Sequence, residues 1–313
     1  MKIFDAHEDI AANIDLVTAK DFFKRNELFG ESINPSFKGV NQSDFPRLLE
    51  GDVQLVFAVI FARNMEEAKN QYGIYEQIIE NSRGDIFFVK SKEDLKRIEK
   101  GKVGFLLHME GANPLSSIED FEYFYNLGLR SIGITWRDGN AFYDERGLTA
   151  LGIDLIKRLN KLPIICDLAH TTETLFWDIM KHYSKSPLVS HTAIMEVSDS
   201  DPRNINKRQI EAVCERGGVL GMIGINLMIG GDDVSDMIGH FRYMKENGYI
   251  DNVCIGSDFD GMVNPILTPI TGFREASDFP ILMKELEKND FSEIELEKIA
   301  YMNLERFISK ILG

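Results

Sequence analysis

Cysteine is scarce in this sequence, and the three cysteines present, Cys166, Cys214 and Cys254, show no paired spacing. An odd number without a Cys-x-x-Cys motif fits a reducing compartment. Long apolar runs are also missing, since none approaches the ~18 uninterrupted apolar residues that a membrane helix needs. The first strand-like run begins directly after Met1 and Lys2, which leaves no room for a signal peptide. We therefore expect a cytoplasmic protein.

Positive charge is in the minority. The chain has 35 Lys and Arg against 50 Asp and Glu, a formal net charge of −15. A surface this acidic repels phosphate backbones and anionic lipids, so we expect no nucleic-acid and no membrane partner. Walker-type and dinucleotide-type glycine loops are missing, and so is a Gly-x-Ser-x-Gly elbow. Apolar residues are plentiful, at 44% of the chain, and can form a large buried core.

Eight short apolar runs separated by amphipathic, helix-length segments are the main pattern along the chain. Most runs are continuously apolar, as expected for parallel strands covered on both faces. A further small strand is expected at Asp85–Val89, a short helix at Lys92–Lys100, and two more helices within Phe279–Leu312. The pattern predicts an α/β fold, a single (β/α)8 TIM-type barrel over residues 1–313 with extra C-terminal helices; an open doubly wound sheet is the second choice. The predicted strands are Ile3–His7, Val53–Phe61, Val103–Glu110, Leu129–Trp136, Pro163–His170, Pro187–His191, Val219–Asn226 and Asn252–Asp258.

Polar clusters end five of these predicted strands. Barrel enzymes place their active sites at this C-terminal face. Along a strand, side chains alternate, so His7 and Asp9 should point the same way. A buried carboxylate or imidazole is costly unless it is paired or ligated, which favours a metal site over a polar structural network. The clusters are Asp5-Ala6-His7-Glu8-Asp9, His108-Met109-Glu110-Gly111, Asp167-Leu168-Ala169-His170, Ser190-His191-Thr192 and Gly256-Ser257-Asp258-Phe259-Asp260-Gly261.

The kinds of ligand in these clusters restrict the metal. Imidazole and carboxylate without thiolate suit Zn²⁺ and also tolerate Mn²⁺ or Co²⁺. Three histidines, an aspartate and a glutamate are too many ligands for one catalytic zinc with an open position, but enough for two ions if one carboxylate bridges. Two such ions can share a hydroxide and polarise a carbonyl. The sequence therefore predicts two divalent ions, with zinc as the first choice.

In order and spacing, the motifs resemble the membrane (renal) dipeptidases, peptidase family M19, and especially its soluble bacterial branch. The resemblance runs through most of the chain and includes Gly147-Leu148-Thr149 with Gly152, and Arg203-Asn204. It implies a distorted (β/α)8 barrel and a zinc dipeptidase. The implied reaction is hydroxide attack on a metal-polarised peptide carbonyl, followed by protonation of the departing nitrogen.

The resemblance also implies which residues hold the metal ions. His7 and Asp9 would bind the first zinc, and His170 and His191 the second. Glu110 would bridge the two ions and so take part in catalysis.

Further roles and departures follow from the same resemblance. Asp258 resembles the acid/base residue, and Arg203 the arginine that binds the substrate's C-terminal carboxylate. Trp136, on the substrate side, occupies the place of a histidine that is thought to steady the tetrahedral intermediate in mammalian members. Lys207 stands where the family often has Asp. His108, unused by the family, is expected in the core or behind the ligands.

Three functions are compatible with these residues. The leading hypothesis is a dipeptidase acting on small dipeptides, including L,D-dipeptides, with room left for a homodimer. The alternative is a related dinuclear-metal amidohydrolase acting on a non-peptide amide, a lactam or an N-acyl amino acid, since Trp136 and the unassigned loop between Asn26 and Pro46 leave room for it. A non-catalytic binding protein is the third, and the intact ligand set speaks against it.

Overall fold

The computed structural model describes residues 1–137, 139–261 and 267–313. In chain order its strands are β1 (Ile3–Glu8), β2 (Val53–Ile60), β3 (Ile86–Phe88), β4 (Val103–Met109), β5 (Ser131–Gly133), β6 (Tyr143–Asp144), β7 (Gly147–Leu148), β8 (Ile165–Asp167), β9 (Leu188–Thr192), β10 (Val219–Met222) and β11 (Val253–Ile255). Strands β1, β2, β4, β5, β8, β9, β10 and β11 pair in parallel, and β11 pairs back to β1 through Asp5 and Ile255. This closed ring confirms the predicted barrel.

Two pieces of sheet stand outside the ring. Strand β3 pairs with residues Val103–Phe105 of β4, whereas β5 pairs with His108 and Met109 further along the same strand. Strands β6 and β7 form a small antiparallel hairpin. The sequence pattern predicted β3 but not the hairpin.

Helices connect most of the barrel strands, and polar caps begin several of them. Asn64, Ser117, Thr149 and Thr172 each accept a hydrogen bond from a first-turn N–H, which satisfies a donor that has no partner inside the helix. In the described ranges no helix is long and apolar enough to cross a bilayer. The α-helices are α1 (Ile10–Asn13), α2 (Phe45–Glu50), α3 (Met65–Asn81), α4 (Ile118–Leu127), α5 (Ala150–Lys161), α6 (Glu173–His182), α7 (Lys207–Glu215), α8 (Asn226–Ile229), α9 (Val234–Glu246), α10 (Phe279–Lys288), α11 (Glu293–Glu297) and α12 (Asn303–Leu312).

The C-terminal helices close the barrel at the end opposite the polar clusters. Short π-helical and 3₁₀ segments complete the chain, among them Lys298–Met302 between α11 and α12. Apolar residues of α12, including Leu304, Phe307 and Ile311, pack in one cluster with inward-facing residues of the strands such as Phe4 and Phe57. A second and larger apolar cluster lies between the strands and the surrounding helices. The continuous apolar runs in the sequence therefore reflect strands buried on both faces.

Several strands are shorter than predicted. Trp136, His170 and Asp258 were placed inside strands but lie beyond the ends of β5, β8 and β11. His170 has φ 62° and Asp258 has φ 60°, left-handed values that a strand cannot accommodate. The predicted helix at Lys92–Lys100 is a 3₁₀ segment over Lys92–Arg97.

Candidate metal centre and substrate cavity

Six of the predicted site residues converge at the C-terminal face of the barrel. His7, near the end of β1, directs Nε2 to within 3.4 Å of Asp9 Oδ2 and 3.7 Å of Glu110 Oε1. The same Nε2 atom lies 3.8 Å from Asp258 Oδ1. His7, Asp9 and Glu110 form one triad whose candidate ligand atoms all lie within 4.8 Å of one another.

A second triad shares Glu110. Its Oε1 atom lies 2.7 Å from His170 Nε2, and His170 Nε2 lies 2.8 Å from His191 Nε2. His191 Nε2 is 3.7 Å from the same glutamate oxygen. His170 lies just beyond the end of β8, where its backbone is left-handed. Glu110 is thus positioned between two histidine-containing groups, as the sequence resemblance implies for a bridging ligand.

The donor atoms fit a bound cation. In the described part of the chain, His7 Nε2 and Asp9 Oδ1 are buried with no hydrogen-bond partner, although buried polar atoms are normally satisfied. Two imidazole nitrogens and a carboxylate oxygen converge at the His170–His191–Glu110 group. Nitrogen and oxygen ligands without thiolate suit zinc and similar divalent ions.

Burial also affects the protonation of these groups. It keeps His7 and His191 in the neutral form that can bind a cation. It lowers the pKa of His7 to about 3 and that of His191 well below the usual value, so both imidazoles keep a free lone pair at neutral pH. Burial, together with the charge of Glu110, raises the pKa of Asp9 strongly and that of Asp258 to about 7. Several carboxyl groups this close repel one another when ionised, and a divalent ion would remove that repulsion.

Behind the ligands, Ser190 fixes the imidazoles. Its Oγ donates to Asp167 Oδ2 at 2.6 Å and lies 2.9 Å from His191 Nδ1 and 3.4 Å from His7 Nδ1. A hydroxyl has one proton to donate, so toward His191 it must accept, and His191 carries its proton on Nδ1. The Nε2 lone pair is then free to face the centre. His108, whose Nε2 is 3.4 Å from Asp167 Oδ2, lies in this layer as predicted.

Asp260, in the last of the polar clusters, links two distant segments of the chain. Its carboxylate is buried, accepts the backbone N–H of Gln42 at 2.8 Å, and forms an ion pair with Lys20. Lys20 Nζ also donates to the carbonyl of Ser43 at 2.6 Å. The pair ties the long segment after β1 to the loop after β11. No sequence pattern indicates it, because Lys20 and Asp260 are 240 residues apart.

A cavity of about 390 Å³ opens beside the metal centre. Asp9, Glu110, His170 and Asp258 form its polar wall, and both predicted substrate-side residues, Trp136 and Arg203, line it. His7 and His191 are buried beneath it. Its apolar lining consists of Ala12, Phe61, Pro202, Ile225, Leu227 and Leu267 in addition to Trp136.

Arg203 has a partner that was not predicted from the sequence. Its Nε and Nη2 atoms bind the two carboxylate oxygens of Asp201 at 2.9 and 2.7 Å. This hydrogen bonding raises the pKa of Arg203, which stays charged in any case. The pair holds the guanidinium in the cavity wall, and among the described residues its Nη1 group makes no hydrogen bond.

Buried imidazole and carboxylate donors at the C-terminal face of a (β/α)8 barrel, next to a cavity of ligand size, define a metal-dependent hydrolase. The chain belongs to the membrane dipeptidase family, peptidase family M19, whose sequence model matches residues 1–312. This confirms the resemblance found in the motifs. The protein is thus a metal-dependent hydrolase of the dipeptidase type.

Individual relatives and solved structures agree with this assignment. An uncharacterized protein encoded in the pqqA 5′ region of Klebsiella pneumoniae is 30% identical over 262 residues, covering 77% of this chain and 94% of its own. Human dipeptidase 3 is 26% identical over 250 residues, which cover 74% of this chain but 49% of that protein. A Rhodobacter sphaeroides metallopeptidase, crystallised with a phosphinate mimic of the dipeptide L-Ala-D-Ala, has the same fold, with a TM-score of 0.84, 19% identity and coverage of 100% of this chain and 99% of its own.

Proposed function

We propose that this protein hydrolyses small dipeptides, including L,D-dipeptides, with two divalent ions, of which zinc is the first choice. The observation that carries the proposal is Glu110, whose Oε1 atom lies within 3.7 Å of three histidine Nε2 atoms on two sides of the centre. When bound, the ions would lower the pKa of a bound water and, as Lewis acids, polarise the peptide carbonyl. His7 and Asp9 would hold one ion, His170 and His191 the other, and Glu110 both.

The remaining roles belong to residues in the cavity wall. Asp258 would take the proton of the attacking water and return it to the leaving nitrogen, because it lines the cavity and its carboxylate lies 3.8 Å from the metal-ligand candidate His7. Arg203 would bind the substrate's terminal carboxylate. The cavity of about 390 Å³ is near the lower end of the ~300–1,000 Å³ range of small-molecule pockets, which favours short substrates.

The experiment is a panel of L,L- and L,D-dipeptides offered to the zinc-supplemented protein, with metal content measured on the same sample. We expect the protein to hydrolyse dipeptides and to release no amino acid from tripeptides. Failure on every dipeptide, with two ions bound, would contradict the proposed substrate.

One observation favours a second candidate. Arg203 is already paired with Asp201, which leaves less of its charge for a substrate carboxylate. A related amidohydrolase acting on a non-peptide amide, a lactam or an N-acyl amino acid would not need that charge in the same way. Such amides belong in the same panel.

The setting of the enzyme is part of the proposal. We propose that residues 1–313 act as one domain in the cytoplasm, without nucleic-acid or membrane partners. Free thiols at Cys166, Cys214 and Cys254 support a reducing compartment. A homodimer stays a prediction, which light scattering of the purified protein would check.

A further inference from the structure

A second guanidinium faces the substrate cavity. Arg137 follows Trp136 in the loop after β5, and its guanidinium lies over the indole ring at 4.5 Å from the ring centroid. The indole in turn packs edge-on against Phe61, with the ring centroids 4.7 Å apart. All three residues line the cavity that also contains Glu110. The cation is therefore held on an aromatic wall of the site.

The two arginines of the cavity differ in their partners. Arg203 is bound bidentately by Asp201, whereas Arg137 forms no ion pair with any residue of the described ranges. Some exposed arginines, such as Arg63 and Arg146, pair with a carboxylate a few residues away, and others form no ion pair within the described ranges. Arg137 is set apart by its position, because it lines the cavity while its guanidinium lies over an indole ring. Stacking on an indole leaves the edges of a guanidinium free for a planar anion.

The two arginines also differ in exposure. The Arg203 side chain is partly buried, at 32% exposed, and together with His170 it lines both the cavity and a smaller pocket next to it. In a dipeptide the terminal carboxylate is separated from the scissile nitrogen by a single carbon, so the residue nearer the centre suits it. Arg137 is exposed at the rim, where a substrate side chain would extend.

We propose that Arg137 is a specificity-determining residue that binds a second carboxylate, so that the preferred substrates are dipeptides with an Asp or Glu side chain. This inference rests on the proposed dipeptidase function. Arg203 would take the terminal carboxylate and Arg137 the side-chain carboxylate. The second contact would form near the rim, where solvent weakens it, so a moderate effect on KM is expected rather than a loss of turnover.

The test compares zinc-loaded wild type with Arg137→Met and Arg137→Glu. Substrates are Ala-Ala, Ala-Asp, Ala-Glu, Asp-Ala, Glu-Ala, Ala-Lys and Lys-Ala, so that both positions are sampled. We expect wild type to prefer the acidic residue at one of the two dipeptide positions. For dipeptides with Asp or Glu at that position, Arg137→Met should lower kcat/KM by about 5- to 20-fold, mainly through KM. For Ala-Ala, kcat/KM should change by less than about threefold. Arg137→Glu should lower kcat/KM for the acidic substrates further and raise it for Ala-Lys or Lys-Ala. Arg146→Met is the matched control, because it removes the same charge outside the cavity.

Each other outcome has a definite meaning. If Arg137→Met lowers kcat/KM for acidic and neutral dipeptides by the same factor, Arg137 only supports the Trp136 ring and the inference is wrong. It is also wrong if no rate changes, or if wild type prefers Ala-Ala to every acidic dipeptide; in these cases the dipeptidase function stands. If wild type hydrolyses no dipeptide at all, the proposed function fails and the inference fails with it. Equal metal content and melting temperature across the variants show that the fold is kept.

Discussion

Glu110 has more contacts to candidate ligands than any other carboxylate of the centre, which makes it the sharpest single-residue test. Glu110→Gln keeps the shape of the side chain but removes its charge, so we expect it to weaken both ion sites. His170→Ala removes a donor from one triad only and should chiefly empty one site. Elemental analysis after metal supplementation should give close to two ions for wild type, about one for His170→Ala and fewer than one for Glu110→Gln. Two ions retained by Glu110→Gln would contradict the bridging role.

Arg203 is tested by a comparison of two enzymes and two substrates. Capping a dipeptide as its amide, or Arg203→Ala, should each lower kcat/KM by about 30- to 1000-fold, corresponding to roughly 2–4 kcal/mol for the lost charge-assisted contact between the guanidinium and the terminal carboxylate. Both changes remove the same interaction, so the double change should cost little more than either alone. Steady-state kinetics on the four combinations measures this.

Asp201 requires a control in that comparison. In Arg203→Ala its carboxylate would face the cavity alone and repel the substrate, so the loss could arise from repulsion. The double variant Asp201→Asn/Arg203→Ala removes that charge. If the double variant regains the wild-type rate, or if amide and arginine losses simply add, Arg203 does not bind the carboxylate.

Sequence reasoning succeeded at this scale where chemistry restricts the residue type. Histidine and carboxylate at strand ends indicated the metal centre because burying them without a ligand is costly. It did not find Asp201 or the role of Ser190. Hydrogen-bond partners of this kind can be any of several polar residues, and Ser190 and Asp167 are 23 positions apart, so no spacing marks them.

Among the elements, the turn after β11 passes very close to two carboxylates. A Cβ atom at Gly261 would lie 2.3 Å from Asp258 Oδ1 and 2.7 Å from Asp9 Oδ2. We expect Gly261→Ala to displace these oxygens, to lower metal content by at least about half and to reduce activity with it. Gly73→Ala is the control, because a Cβ there meets nothing within 4 Å and Ala should stabilise α3 by about 0.5–1 kcal/mol. Full metal content in Gly261→Ala would show that the loop adapts.

Helix α9 is joined to the loop after β9 by a neutral histidine. The backbone N–H of Ile194 donates to His240 Nδ1 at 3.0 Å, and His240 Nε2 lies 3.3 Å from the carbonyl of Ile229. Burial lowers the pKa of His240 from its usual 6.5, so below that pH the unfolded chain binds a proton that the folded chain resists. The stabilisation is therefore complete above pH ~6.5 and is lost as the pH falls, by up to ~1.4 kcal/mol per pH unit for one proton.

His240→Asn tests this contribution, because its side-chain oxygen can still accept from Ile194. Urea unfolding between pH 5 and 8 should show a shallower loss of unfolding free energy in acid for the variant than for wild type. His182→Asn, at a partly exposed position of α6, should keep the wild-type slope. Parallel curves for wild type and His240→Asn would contradict the argument.

Element types were largely predictable, whereas the ends of elements were not. Apolar runs indicated the barrel strands because burial on both faces requires them. The tail was predicted as two helices, and the structure has α10 followed by α11, the π-helical segment Lys298–Met302 and α12. The runs at Leu129–Trp136 and Pro163–His170 continue as apolar or polar loop beyond the last paired residue, and periodicity does not mark where pairing stops. The left-handed backbone at His170 is a property of the site and has no compositional signal.

For the whole molecule, the close carboxyl groups of the centre predict a stability that depends on metal. A ligand that binds only the folded state at 100 times its Kd adds about 2.7 kcal/mol. Two ions at that saturation should raise Tm by roughly 5–10 °C in a chain of this size. Calorimetry of chelator-treated protein with and without added zinc measures the shift. Glu110→Gln should show a clearly smaller rise, and an unchanged Tm on zinc addition to wild type would contradict a folded-state metal site.

The (β/α)8 barrel was predictable because alternation of strand and helix allows few closed arrangements. The exception is the structure added to it: the β6–β7 hairpin and the segment tied down by Lys20 and Asp260. Both are held by contacts specific to this chain and not by a repeating pattern. Asp260 is also one of the residues that line the cavity.

The pairing of β1 with β11 imposes an order on biosynthesis. While the ribosome is still translating, a nascent chain can carry His7, Glu110 and His191 and yet have no closed ring to bring them together. Only after residue 255 has left the exit tunnel can the two ends of the barrel join, and contacts this distant in sequence form late and slowly. Metal capture is therefore expected only after β11 has joined β1, late in the synthesis of the chain or after it.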